Sequence, residues 1–189
     1  MKYTIIEALI SLKPEAEWAV RGGNYSDIVW LDKSQTKPTE QEIEEKIAEL
    51  NYQGEINVYQ EKRKLEYPDW GDQLDKIYHS GIDAWKADIK VIKDKYPKQT
   101  MDATELQKRI DTATFNLQKR NYEKAVARLA QYELSAGLKD EDGKHIIMPI
   151  AVEINGERNP LVVADETERA AAQEVINKTP QAVIESVSS

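Results

Sequence analysis

Apolar residues recur at spacings of three and four through most of the chain, so helices are expected to dominate the fold. Ile5, Ile6, Leu9, Ile10 and Leu12 mark a short amphipathic helix over Tyr3 to Leu12, and Pro14 closes it. Two strand-like runs follow, Glu17 to Arg21 and Asp27 to Leu31, each rich in Trp and Val. Gly22-Gly23-Asn24 lies between them, and its tolerance of positive φ predicts a tight hairpin carrying Trp18 and Trp30.

Thr39 and Glu42 stand at capping-box spacing after Pro38, so a second helix starts there, with Ile43, Ile47 and Leu50 as its buried stripe. Gly54 is a candidate kink or stop, yet Val58, Tyr59 and Leu65 carry the pattern to about Glu66. Tyr67-Pro68 breaks the chain, and Asp69 caps a short helix holding Leu74, Ile77 and Tyr78. Ser80-Gly81 reads as a stop and restart. Ile82, Trp85, Ile89 and Ile92 then form a helix that places Lys93 and Lys95 near the negative end of its dipole and ends at Tyr96-Pro97.

Asp102 and Glu105 repeat the capping-box spacing and open the longest element, whose stripe runs from Leu106 through Ile110, Leu117 and Ala125 to about Ser135. Lys139 to Gly143 is expected as an exposed acidic turn, and His145 to Ile154 with Pro160 to Val163 as a hairpin around Asn155-Gly156. Asp165, with Glu168 at the third position, is expected to cap the next helix, and Thr179-Pro180 starts a last short one holding Val183, Ile184 and Val187. The expected fold class is therefore α+β, mainly helical. It comprises a small helix-plus-β-ribbon N-terminal unit, a helical middle with one long helix, and a C-terminal β-hairpin with short helices. Two units are expected, 1–97 and 98–189, divided near Tyr96 to Thr100.

Composition narrows the function classes. With 40% hydrophobic and 32% charged residues, the chain has material for a modest core beneath a well-solvated surface. A net charge of -8 argues against nucleic acid as a partner, because that affinity comes mostly from Lys and Arg neutralising phosphates. The excess acid lies near the two ends, and the middle is close to balanced. Without cysteine, disulfides and thiolate chemistry are excluded. Glu7 interrupts the opening apolar run and no small-residue cleavage site follows, so no signal peptide is expected. No stretch reaches the ~20 apolar residues of a membrane span, so no membrane partner is expected either.

The residues present no catalytic constellation. His79 and His145, the two histidines, are far apart in sequence and lack the further ligands a metal needs. Asp69, Asp72 and Asp75 lack the calcium-loop pattern and its distal glutamate, and are accounted for as caps and a solvated helix face. Gly22-Gly23 matches no phosphate-loop motif, and no nucleophile elbow appears. No enzymatic activity and no cofactor are expected. Aromatic side chains remain, which anchor cores and interfaces alike. Trp18, Trp30, Trp70 and Trp85 lie where the ribbon and helices must pack, whereas Tyr67, Trp70 and Tyr78, with Trp85, are the candidates for a protein interface.

Two stretches resemble known phage proteins. The first, AEWAVRGGNYSDIVWLDKSQTKPTEQEIEEKIAEL, is similar to XkdW-type prophage tail proteins, the matching positions being Trp18, Trp30, Pro38, Thr39 and Glu42. The second, RKLEYPDWGDQLDKIYHSGIDAWKADIKVIKDKYPK, resembles a module of phage tail-fibre and tail-assembly proteins. It is carried by Tyr67, Pro68, Asp72, Gln73, Leu74, Asp75, Trp85, Lys95, Tyr96 and Pro97. AVARLAQYELSAG and ERAAAQEVINKTP in the second half are similar to segments of cyanophage structural proteins. The resemblance implies a non-enzymatic tail protein, either a virion structural component or a fibre chaperone. Such a protein would contact a tail-fibre or baseplate protein, in the virion tail or in the host cytoplasm during assembly; self-association into a homo-oligomer is compatible with it. The alternative is a small phage protein that binds and inhibits a host bacterial factor.

Overall fold

The computed structural model describes residues 2–130, 137–139, 141–147 and 150–188. The chain is mainly helical α+β. Helix α1 (Ile5–Leu12) precedes strands β1 (Trp18–Val20) and β2 (Ile28–Trp30), then helices α2 (Glu40–Glu66), α3 (Trp70–Lys95) and α4 (Ala103–Ala130). Strands β3 (Leu138–Lys139), β4 (His145–Ile147), β5 (Glu153–Ile154) and β6 (Glu157–Arg158) lead to helices α5 (Pro160–Lys178) and α6 (Gln181–Ser188). Contacts divide the chain into two compact units, Met1–Thr114 and Phe115–Ser189. The division falls inside α4, so the segment around Tyr96 to Thr100 belongs to the first unit.

In the first unit, local capping sets where each helix begins. Thr4 accepts from the Ile6 amide while Glu7 reaches back to the Thr4 amide at 2.8 Å, so the residue that interrupts the apolar run is the far half of a capping box. Thr39 and Glu42 form the same device at the start of α2, as their spacing predicts. Ala8 and Leu9 of α1, Ile28 of β2 and Ile43 of α2 make the buried core, with Trp18, Val20, Trp30 and Ile47 packed around it. Leu9 and Ile43 are almost completely enclosed, and burial of each contributes about 1.5–3 kcal/mol.

The ribbon pairs β1 with β2 antiparallel, Trp18 opposite Trp30 and Val20 opposite Ile28. Its connection is longer than the tight turn expected: residues Tyr25–Asp27 form a 3-10 turn, and neither Gly22 nor Gly23 has positive φ. Gly22 answers a different need. The Asp27 carboxylate folds over it to accept from the Asn24 amide at 2.9 Å, and a Cβ on Gly22 would lie 2.2 Å from that oxygen. Gly54 does not end α2, which runs through it, and the ring of Tyr3 lies 3.0 Å from where its Cβ would be.

Side chains tie the start of α4 to the middle of α2. Asp102, whose carboxylate accepts from the Glu105 amide at 2.8 Å, donates its own amide to the Tyr52 hydroxyl at 3.2 Å. Arg109 stacks over the buried Tyr52 ring at 4.5 Å and pairs with Glu55 at 2.8 Å.

In the second unit, Leu117 and Ala125 of α4, Val162 and Ala172 of α5 and Val183 of α6 are buried. Three expectations need correction here. Pro160 to Val163 is not a strand but the first turn of α5, because Pro at the first helical position, preceded by Asn159 as cap, favours a helix start over a ladder. Asp165 is not a cap; it is buried and takes the guanidinium of Arg128, which also reaches Glu168 at 3.0 Å. The hairpin around Asn155-Gly156 is confined to β5 and β6, whereas His145–Ile147 pairs with β3 across the exposed turn containing Glu141 to Gly143. Asn155 and Gly156 do both take positive φ, 54° and 83°, as the two-residue turn requires. The expected extension of the long helix through Tyr132 to Ser135 lies outside the described residues.

Candidate functional site

The first unit carries one excursion that its core does not explain, the stretch from Tyr67 to Tyr96. It opens at Asp69, whose carboxylate accepts from the Asp72 amide at 2.9 Å and so caps α3. It bends at Gly81, the stop and restart expected there, where φ of 80° and ψ of 164° interrupt the helix. That conformation is open almost only to glycine.

The bend turns the second half of α3 back onto the first. The Trp85 indole N–H donates to Gln73 Oε1 at 3.0 Å, and Gln73 Nε2 donates to the Pro68 carbonyl at 2.7 Å, so one glutamine locks turn, first half and second half together. Lys76 pairs with Asp88 across the same gap at 3.0 Å. The base of the excursion is closed onto the end of α2. Arg63 donates to the carbonyls of Tyr96 at 2.8 Å and Lys93 at 3.0 Å, satisfying the C-terminal turn of α3. Glu66 accepts from Lys95 at 2.5 Å and from the Tyr96 hydroxyl. Lys95, and after it Tyr96, hold the Glu66 carboxyl below its ordinary range, and Glu66 in turn holds Lys95 above its own.

What this frame presents is apolar. Trp70, Leu74 and Tyr78 stand four residues apart on one face of α3 and are 79%, 62% and 83% exposed. They span about 12 Å along the helix, at 1.5 Å rise per residue. Leu65, at the end of α2, is 86% exposed. A depression of about 590 Å³, lined by Tyr67, Pro68, Trp70 and Gln73 among others, lies at the start of the face. Asp69, Asp72 and Asp75 sit at the same end of α3 and make no ion pair among the described residues. His79 is exposed and meets the Tyr78 ring edge-on at 4.9 Å.

The four aromatic residues singled out from sequence thus divide. Trp70 and Tyr78 point to solvent, whereas Tyr67 is half-buried at the turn and Trp85 is half-buried with its N–H committed to Gln73. Leu74 and Leu65 were not among them. The signal for Leu74 was present in its spacing from Trp70 and Tyr78, but that spacing equally describes an inward stripe. Trp18 and Trp30 pack on the core, and Trp30 donates its indole N–H to the Gln35 carbonyl at 2.8 Å.

Among the described residues, no group of three or more His, Asp or Glu side chains converges in a way that could hold a metal ion, and no helix is long and apolar enough to cross a membrane. No family model, no curated protein and no solved structure matches the chain.

Proposed function

We propose that this chain is a non-enzymatic bacteriophage tail protein that works in tail-fibre or baseplate assembly through protein–protein contacts. The observation that carries the proposal is the exposed Trp70, Leu74 and Tyr78 face, held on a closed, braced excursion. Large aromatic side chains left in water on a rigid frame suit an interface, where such residues supply most of the binding energy. The same stretch, YPDWGDQLD through KYPK, is the one that resembles a module of tail-fibre and tail-assembly proteins. Its Gln73 and Tyr96 have structural duties in closing the excursion.

A virion structural component and a fibre chaperone both fit this role, and they differ in whether the protein stays in the particle. Affinity purification of the tagged chain from infected cells tests the proposal. Stoichiometric recovery of a tail-fibre or baseplate protein is expected; recovery of a host enzyme without any tail protein would overturn it in favour of an inhibitor of a host factor. Mass spectrometry of purified virions then separates the two roles, with abundant peptides for the structural component and none for the chaperone.

A further inference from the structure

We infer that the open edge of β1 pairs with the same edge of a second copy of this chain, joining the two ribbons into one four-stranded antiparallel sheet. The inference concerns self-association and stands apart from the reading as a tail protein.

The ribbon has two edges, and one of them is closed. The Arg21 amide donates to the Asp27 carbonyl and the Leu31 amide to the Glu17 carbonyl, so Glu17, Ala19 and Arg21 aim their backbone groups at β2. By the alternation of an antiparallel ladder, the N–H and C=O groups of Trp18 and Val20 point the other way. Among the described residues, no second strand pairs with β1 and no hydrogen bond reaches these groups. The outer edge of β2 differs. Lys37 lies across it, donating to the Ile28 carbonyl at 3.1 Å and stacking over the Tyr25 ring at 4.1 Å. A lysine on an edge deters pairing, whereas alternating unpaired donors and acceptors on β1 suit an extended strand.

The residues of β1 select a second copy as that strand. Laid antiparallel to itself about Ala19, each Trp18 meets the other copy's Val20 as a hydrogen-bonded pair, and every one of those donors and acceptors gains a partner. Ala19 faces its own counterpart on the two-fold axis, at a non-hydrogen-bonded pair where side chains come closest and a small one fits. Glu17 then stands opposite Arg21 on either side of the axis, an opposite-charge pair each time. Both side chains are exposed, and neither makes an ion pair within one copy among the described residues. Parallel pairing in register would instead set Glu17 beside Glu17 and Arg21 beside Arg21.

Sedimentation equilibrium of the full chain should show a reversible monomer–dimer association that weakens with added salt. Glu17→Arg places arginine opposite arginine, and Arg21→Glu places glutamate opposite glutamate. Each variant alone should associate about tenfold more weakly than the parent, with an unchanged circular dichroism spectrum. An equimolar mixture of the two should regain the parent's association, because each copy then meets its opposite. The register is read by cysteine, which the chain lacks. Non-hydrogen-bonded antiparallel partners stand about 4.5 Å apart at Cα, within the span of a disulfide. Ala19→Cys should therefore crosslink on mild oxidation, and Val29→Cys, exposed on the neighbouring strand, should not.

A chain that stays monomeric up to high micromolar concentration would overturn the proposal. So would a dimer that survives either single charge change unweakened, a mixture of the two variants that remains monomeric, or equal crosslinking from the two cysteine positions. None of these results bears on recovery of a tail protein from infected cells, so the two proposals fail separately.

Discussion

Gly81→Ala perturbs the excursion at the point where its backbone is least tolerant. A Cβ at this position would meet no heavy atom within 4 Å, so the cost is conformational and not steric crowding by neighbours. An L-residue held at φ of 80° and ψ of 164° costs on the order of 1–3 kcal/mol. The escape is to straighten α3 into one continuous helix, where Ala is preferred to Gly by about 1 kcal/mol. Straightening would break the Trp85–Gln73 hydrogen bond, worth about 1 kcal/mol, part the Lys76–Asp88 pair and return the half-buried Ile77 and Trp85 to water. It would also pull Lys93 to Tyr96 away from Arg63 and Glu66. These losses exceed the gain, so the bend persists under strain, and the first unit loses about 2 kcal/mol, or roughly 10 °C in Tm. Calorimetry and thermal circular dichroism would read the loss. Gly23→Ala, at a glycine with open space and no positive φ, is the control and should be near neutral. An unchanged or higher Tm for Gly81→Ala would refute the reasoning.

Three further substitutions probe the frame. Leu9→Ala empties the centre of the first core and should cost about 3 kcal/mol by urea unfolding; a loss below about 1 kcal/mol would contradict the packing described. Asn159→Ala removes a buried side chain that caps α5 and donates to the Ala151 carbonyl at 2.9 Å, and should cost about 2 kcal/mol. Its signature is faster amide exchange in the first turn of α5, and unaltered exchange there would count against the cap. Asp32 accepts from the Ser34 hydroxyl and from the Gln35 and Ser34 amides, which lower its pKa to about 2. A depressed folded value means stability that is present above the unfolded value near 4 and lost as pH falls through 2. The parent should therefore exceed Asp32→Asn in stability by a constant margin above about pH 5 and lose that margin towards pH 2. A margin independent of pH would sink this assignment.

Features set by neighbours in sequence were legible before the fold was known. The Thr39–Glu42 box, the Asp69 cap, the break at Gly81 and the Asn155-Gly156 turn each depend on a few consecutive residues, and each is found. What escaped depends on contacts distant in sequence or on competing local preferences. Asp165 has the spacing of a cap, but its partner is Arg128 on another helix. Pro160-Leu161-Val162-Val163 has the apolar density of a strand, and the Asn159 cap decides for helix. Gly22 reads as a flexible turn residue, yet it is required by the approach of a carboxylate five residues on.

The candidate face was half legible for a similar reason. Periodicity shows that Trp70, Leu74 and Tyr78 share a side of α3, but it is blind to whether that side meets a core or water. Only the exposure of all three side chains resolves the direction.

The most direct test places a photo-crosslinking amino acid at Tyr78, an exposed position outside the buried core, and irradiates phage-infected cells. The account predicts a covalent adduct with a tail-fibre or baseplate protein, absent when the same group replaces the exposed Asp83 instead. Equal adducts from both positions, or an adduct from Tyr78 with a host enzyme alone, would contradict it.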